Sequence, residues 1–101
     1  MFGKKNDLQP DTNMYIIHDT KAGNYDFPIY SLNDETMRRE IFNLMSSPES
    51  EKSKYFVNAE DYAIFRLCSF DRGLGVIHNT ERQHIANLID IKSAALHKNK
   101  V

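Results

Sequence analysis

Residues 62–78 read YAIFRLCSFDRGLGVIH, and this stretch decides the class of fold. Aromatic and aliphatic residues dominate residues 62–70, a composition typical of a β-strand. Residues 71–75 contain two glycines, whose freedom to adopt a positive φ suits a tight turn, and residues 76–78 supply a returning strand. The stretch therefore predicts an antiparallel β-hairpin. Just before it, residues 58–61 predict a capped helical turn that leads into the first strand.

The clearest helix pattern lies upstream, in residues 34–47. Apolar residues recur there at the i, i+4, i+7, i+8 spacing of one buried helical face: Met37, Ile41, Leu44 and Met45. Asn33 and Asp34 can cap the amino terminus of this helix. Pro48 predicts that the helix ends at about residue 47, because the residue before a proline disfavours helical geometry.

Weaker patterns occur on either side of these two elements. Residues 14–18 read MYIIH and predict a strand, which a turn cluster at residues 21–24 follows. Residues 27–32 predict a second strand, and Pro28 indicates a strand start or an edge. Residues 85–91 fit a short amphipathic helix, although their β-branched content leaves a strand open.

Together these elements predict an α+β fold, with a small antiparallel sheet of three to five strands and one main amphipathic helix packed on one face. The chain has 101 residues, enough for one core and too few for two. Residues 1–13 are polar and predict a flexible extension, residues 14–91 form the single domain, and residues 92–101 predict a frayed basic tail. The serine-rich residues 46–54 predict an exposed connection.

Charge is distributed unevenly along the chain. The net charge is −1 at pH 7, but residues 14–91 carry eight basic against twelve acidic side chains, and residues 92–101 carry three lysines and no acid. Nucleic-acid-binding domains usually present a basic face, because neutralising phosphates releases counterions. Attraction of this chain to DNA therefore has to come from the tail or from a local cluster.

Membrane insertion and secretion are not expected. The longest apolar runs fall far short of the roughly 18–20 residues that a membrane helix needs. Residues 1–13 lack the apolar segment of a secretory signal. The single cysteine, Cys68, allows no internal disulfide, which favours a reduced cytosolic setting.

The titratable residues form no pattern typical of catalysis or metal binding. The histidines match no compact metal-ligand spacing: His18, His78, His84 and His97. His18 and Asp19 are neighbours on a strand, so their side chains point to opposite faces and predict a strand end followed by a turn. Cys68 is expected to be a small buried hydrophobe. We therefore expect a protein without enzymatic activity, metal or cofactor.

The side chains that are candidates for binding nucleic acid are aromatic rings and cationic groups. Single-stranded DNA binders stack bases on aromatic rings beside cationic side chains, and Tyr62, Phe65 and Phe70 lie on the predicted strand with Arg66. Strand alternation predicts that Phe65 and Leu67 share one face and that the other face carries Tyr62, Ile64, Arg66, Cys68 and Phe70. Core packing competes for the same rings. The candidate nucleic-acid contacts are Arg66, Lys92, Lys98 and Lys100.

The order and spacing of several short motifs carry a family resemblance over roughly residues 14–92. The motifs are YIIHDTKA at 15–22, Pro28 ahead of Asn33 and Asp34, Arg39, EDYAIFRL at 60–67, SFD at 69–71, and Gly75. On these residues the sequence resembles the small non-structural protein of gokushovirus-type microviruses, which are single-stranded-DNA phages. Relatives often carry Gly at the position of Cys68 and usually start near Met14, so either Met1 or Met14 can be the natural start.

The resemblance implies a phage accessory protein made in the cytoplasm of the infected bacterium. It implies a role in single-stranded DNA synthesis or genome packaging, and the cationic candidates add weak binding of single-stranded DNA. The alternative is a protein-interaction module that engages phage assembly intermediates, the replication initiator or host factors without touching DNA, which the acidic residues 14–91 favour. Self-association through an exposed apolar face or a sheet edge is also open.

Overall fold

The computed structural model describes residues 12–99. The elements in chain order are β1 (Thr12–Asp19), β2 (Asn24–Tyr25), β3 (Ile29–Ser31), α1 (Asp34–Ser46), α2 (Lys54–Val57), β4 (Tyr62–Asp71), β5 (Val76–His78), β6 (Gln83–Asn87) and α3 (Leu88–Asn99). Short 3-10 helices at Pro48–Lys52 and Ala59–Asp61 flank α2. Most of the predicted amino-terminal extension, residues 1–11, lies outside the described residues.

The two longest strands form the centre of the sheet. β1 and β4 pair antiparallel, from Thr12 opposite Phe70 to Asp19 opposite Tyr62. The outer edge of β1 pairs with β2 at one end and β3 at the other, and the outer edge of β4 pairs likewise with β6 and β5. The described part of the sheet therefore has six strands but is only four strands wide.

The α+β class is confirmed, and so is the hairpin of β4 and β5. The strand count exceeds the predicted three to five because the additional strands are short. β2 has two residues, and β6 consists mainly of polar residues. Residues 85–91, which fitted either a helix or a strand, divide between the end of β6 and the start of α3.

The predicted main helix is confirmed as α1. The Asn33 side-chain oxygen accepts a hydrogen bond from the Thr36 backbone N–H at 2.7 Å and caps the helix. Met37, Ile41 and Met45 are buried against the sheet, whereas Leu44, which was predicted on the same buried face, is 44% exposed. α1 ends at Ser46, just before the 3-10 helix that Pro48 begins.

The serine-rich connection is more ordered than predicted. Ser50 is only 4% exposed, and its hydroxyl donates to the Ser47 carbonyl at 2.7 Å. Ser47 and Ser53 accept hydrogen bonds at the amino ends of the two short helices that follow them. Serine side chains thus replace missing backbone partners and hold a compact turn where composition predicted an exposed connection.

The predicted domain boundaries at residues 14 and 92 both move outward. Thr12 and Asn13 already pair with β4, and α3 continues past Lys92 to Asn99. Ala95 is fully buried and packs with Leu88 and Ile91 in the core that α1 also lines. The helical repeat was missed because its last member is alanine, which carries little weight in a hydrophobic pattern. Residues 92–99 are therefore a packed helix and not a frayed tail.

The sheet has two different faces. Tyr15, Ile17 and Ile64 point to the face that the helices cover, which we call the helix face, and they are at most 3% exposed. His18 and Phe65 follow Ile17 and Ile64 in the chain, so they point to the opposite face, which we call the open face. Within residues 12–99 the helices contribute to the core on the helix face and leave the open face uncovered.

A bulge in β4 corrects the predicted alternation of side chains. Met14 pairs with Cys68 but Tyr15 pairs with Arg66, so Leu67 is an extra residue between them. The extra residue reverses the alternation beyond it. Cys68 and Phe70 therefore share the open face with Met14, where simple period-two counting placed them with Arg66.

Candidate functional site

A row of four aromatic rings crosses the open face, and we call it the aromatic platform. One ring comes from each of the four strands side by side: Tyr25 on β2, His18 on β1, Phe65 on β4 and His84 on β6. Tyr25 and His18 stack with centroids 4.3 Å apart and planes at 15°. Phe65 meets His18 and His84 edge-on, at 5.9 and 5.4 Å. The rings are continuous because neighbouring strands lie about 4.8 Å apart.

Arg82 lies over the middle of this platform. Its guanidinium carbon is 4.5 Å from the centroid of the Phe65 ring and 5.4 Å from that of Tyr25. Its Nη1 donates a hydrogen bond to the Tyr25 hydroxyl. Arg82 directly precedes β6, so the sheet pairing that positions His84 also positions the guanidinium. The arrangement places a permanent positive charge over the rings of Phe65 and Tyr25.

The open face continues as an apolar depression at the other end of the sheet. A cavity of about 380 Å³ lies there, and Met14, Tyr30, Phe70 and Ile77 line it beside Arg72. Tyr30 is 59% exposed and Ile77 is 56% exposed. Aromatic rings and arginine side chains therefore lie along the length of the open face.

The family model described as "Phage ORF5 protein" matches residues 12–91. The chain belongs to this phage family. No curated protein and no solved structure matches it. The match to the phage ORF5 family covers every described strand of the sheet, including all platform residues and Arg82, and ends just before Lys92.

Among the sequence-predicted contacts of this phage protein, Arg66 lies on the helix face. Its Nη1 donates to Asp34 Oδ2 at 2.6 Å and its Nη2 donates to Gln83 Oε1 at 2.8 Å. Asp34 also accepts a hydrogen bond from the Tyr15 hydroxyl at 2.5 Å. The guanidinium of Arg66 therefore holds α1, β4 and β6 together.

Two of the predicted lysine contacts lie on α3. Lys92 Nζ donates to the Phe56 carbonyl at 2.8 Å and lies 4.2 Å from the centroid of the Phe56 ring. Lys98 is exposed, with its Nζ 5.3 Å from the Phe42 ring. Lys100 lies outside the described residues. Lys92 and Lys98 are thus on the opposite side of the sheet from the platform.

The ring candidates divide between the two faces. Tyr62 is 7% exposed in the core, where burial and the nearby Asp19 carboxylate raise the pKa of its hydroxyl. Phe65 and Phe70 lie half-buried on the open face. The pattern of residues 62–70 thus selected Phe65 but gave no indication of its neighbours His18, Tyr25 and Arg82, because those residues come from other parts of the chain.

Two further titratable residues, Asp19 and Cys68, lie where a structural role accounts for them. Asp19 Oδ1 accepts hydrogen bonds from the backbone N–H groups of Lys21 and Ala22, so the predicted strand end and turn at His18 and Asp19 are confirmed. Cys68 is buried, as expected.

Across residues 12–99, no three His, Cys, Asp or Glu side chains gather as metal ligands. None of the helices described between residues 12 and 99 is long and apolar enough to span a membrane.

Proposed function

We propose that this phage protein is a non-enzymatic accessory protein that supports single-stranded DNA synthesis or genome packaging. In this proposal it binds single-stranded DNA weakly through the open face. The observation that carries the proposal is the guanidinium of Arg82 over the rings of Phe65 and Tyr25, on a sheet face that no described helix covers. Bases stack on the rings, and Arg82 contacts the phosphate backbone.

The geometry supports stacking as the main source of affinity. Base–aromatic stacking contributes about 1–3 kcal/mol per base and tolerates any sequence. Tyr25 is 42% exposed and His84 is exposed at the two ends of the platform. A base that stacks on Phe65 displaces the Arg82 guanidinium, which is then released to pair with a phosphate.

The charge distribution predicts shallow salt dependence. Only Arg82 and Arg72 bring permanent positive charge to the parts of the open face described above. With one or two phosphates neutralised, the slope of log K against log salt should be about −0.7 to −1.4. Lys98 on α3 adds a second contribution where the DNA strand wraps around the edge of the domain.

Fluorescence anisotropy with a labelled oligothymidine at about 50 and 200 mM salt tests the proposal. We expect Arg82→Gln to weaken binding several-fold at low salt and to reduce the slope by about 0.7, because one phosphate contact is lost. Arg39→Gln removes the same charge from the outer surface of α1, so it is the matched control and should leave binding unchanged.

An abasic strand of equal length separates stacking from simple charge attraction. Loss of the bases should lower affinity at least about tenfold, the equivalent of about 1.4 kcal/mol. Equal affinity for the abasic strand would show that the rings do not bind bases. Absence of binding by the unaltered chain at low salt would reject the DNA proposal as a whole.

We also propose that the phage is a gokushovirus-type microvirus and that the protein acts in the cytoplasm of its bacterial host. The motifs quoted for the resemblance support this finer assignment. Its test is the position of the gene: the coding sequence should lie in a small circular single-stranded genome beside a gokushovirus major capsid protein gene. A double-stranded tailed-phage genome around the gene would contradict it.

The second candidate function is a protein-interaction module that engages phage or host proteins without contacting DNA. The acidic balance of residues 14–91 favours it, because net negative charge repels nucleic acid. Two results together would support this function. The chain pulls down phage proteins through side chains of the open face or the helix face, and it binds no oligonucleotide.

A further inference from the structure

Phe27 is an exposed aromatic side chain on an anchored backbone. It lies between β2 and β3, and it is 91% exposed. The preceding Asp26 N–H donates to the Ile17 carbonyl at 3.0 Å, and the Asp26 carboxylate accepts a hydrogen bond from the Tyr55 hydroxyl. The following Pro28 restricts the backbone on the other side. A large apolar ring held outward in this way is typical of a recognition side chain.

An apolar cleft opens beside this ring. It has a volume of about 530 Å³, and Phe27 and Pro28 form part of its rim. Its accessible apolar walls are Ile29 from the sheet and Leu44 from α1, and the buried core residues Ile17, Ile41, Met45 and Leu88 lie at its floor. The volume lies in the range of sites that bind organic groups, about 300–1,000 Å³, and the walls are suited to an apolar ring.

We propose that the cleft receives Phe27 of a second copy of this chain. A protruding ring and a cleft that share one rim form a self-complementary surface, since a two-fold axis through that rim inserts each ring into the other copy's cleft. Charge supports the same pairing. Asp26 and Lys54 lie together at the cleft with 3.6 Å between their charged atoms, so each copy offers both signs to the other across the axis.

The small area of the contact is typical of weak interfaces. Each exchanged ring buries roughly 150–250 Å² of its own surface. Two rings and the cleft walls that they cover stay below the roughly 1,200 Å² of stable interfaces, so the dimer forms reversibly at micromolar concentrations and above. It is independent of DNA binding, because the open-face platform does not include Phe27 or the cleft.

Sedimentation equilibrium of the full chain from about 5 to 500 μM tests the dimer, over the range that a weak interface requires. The average mass should rise from 11.7 kDa towards twice that value. Phe27→Ser should hold the mass at that of the monomer over the whole range without changing the circular dichroism spectrum. Leu74→Ser is the matched control, because Leu74 is 67% exposed in the β4–β5 turn, and it should dimerise normally.

A mixing experiment tests the exchange itself. Leu44→Lys places a charge in the cleft wall but leaves Phe27 intact, whereas Phe27→Ser removes the ring from the rim but leaves Ile29 and Leu44 in the walls unchanged. Each variant alone should be monomeric, and an equimolar mixture should recover part of the dimer through one intact ring–cleft pair. A monomeric unaltered chain at 500 μM, a dimeric Phe27→Ser variant, or no recovery on mixing would each overturn the proposal.

Discussion

Asp34 joins α1 to the sheet through both of its carboxylate oxygens. Burial alone would raise its pKa, but the hydrogen bonds from Tyr15 and Arg66 and the charge of Arg66 outweigh burial and lower the pKa below its ordinary value of 3.8. Burial and the hydrogen bond to Asp34 raise the pKa of Tyr15 to about 12, so its hydroxyl remains a donor. The pairing explains why Arg66 is held on the helix face.

Asp34→Asn should therefore destabilise the protein. We expect the free energy of unfolding at neutral pH to fall by about 1–3 kcal/mol, because the half-buried Arg66 loses its charged partner. Urea unfolding measures the change. Glu40→Gln, an exposed carboxylate on the same helix, should change stability by less than about 0.5 kcal/mol.

The stability difference between the unaltered protein and Asp34→Asn should depend on pH, because the pKa of Asp34 is lowered in the folded state. The unfolded chain binds a proton to Asp34 at higher pH than the folded chain, so the stabilisation is complete above the ordinary value of 3.8. It is lost as the pH falls from there through the folded pKa. The stability gap between the unaltered protein and Asp34→Asn should narrow on acidification below about pH 4. A constant gap would show that the charge of Asp34 is not responsible.

Gly75 illustrates a backbone requirement in the β4–β5 turn. Its φ is +71°, its N–H donates to the Asp71 carbonyl at 2.7 Å, and an added Cβ would meet nothing within 4 Å. Gly75→Ala should therefore cost about 1–2 kcal/mol from backbone strain alone. Gly73→Ala, in the same turn but without a positive φ, should cost less. Equal losses in thermal unfolding would contradict this reason.

At the scale of elements, sequence patterns predicted an element correctly where all the signals for it lie within one short stretch of the chain. α1 has a cap, an apolar repeat and a proline after its end, and β4 with β5 has a strand, a glycine turn and a returning strand. The bulge at Leu67 adds one residue and reverses the faces, which a period-two count has no means of detecting. The aromatic platform was missed for a related reason: its four rings come from four strands, so no local pattern links them.

α3 also shows how far an element depends on its neighbours. A chain that ends at Ile91 should lose cooperative thermal unfolding or melt at least about 10 °C lower, because it lacks the buried Ala95 and the helix that packs against α1. Lys98→Gln should retain the melting temperature, since Lys98 is exposed. A stable truncated chain would show that residues 92–99 are dispensable for folding. Loss of DNA binding on such truncation would therefore say nothing about the tail lysines.

At the scale of the whole molecule, the two faces of the sheet carry different features. The helix face contains the core, and the open face contains the platform with Arg82. Titration with oligothymidine should therefore shift amide NMR signals of β1, β2, β4 and β6, and leave the signals of α1 and α3 largely unmoved. Shifts concentrated on α3 would instead favour binding through Lys92 and Lys98.

The central pairing of β1 with β4 also affects the chain while it is being made. Paired residues on these strands lie 43 to 58 positions apart. At a bacterial synthesis rate of about 5–20 residues per second, β1 emerges from the ribosome several seconds before its partner strand does. During that interval Tyr15, Ile16 and Ile17 have no β4 to cover them. The apolar side chains of β1 therefore stay unpaired until residue 71 has emerged, and only then can β1 and β4 form the centre of the sheet.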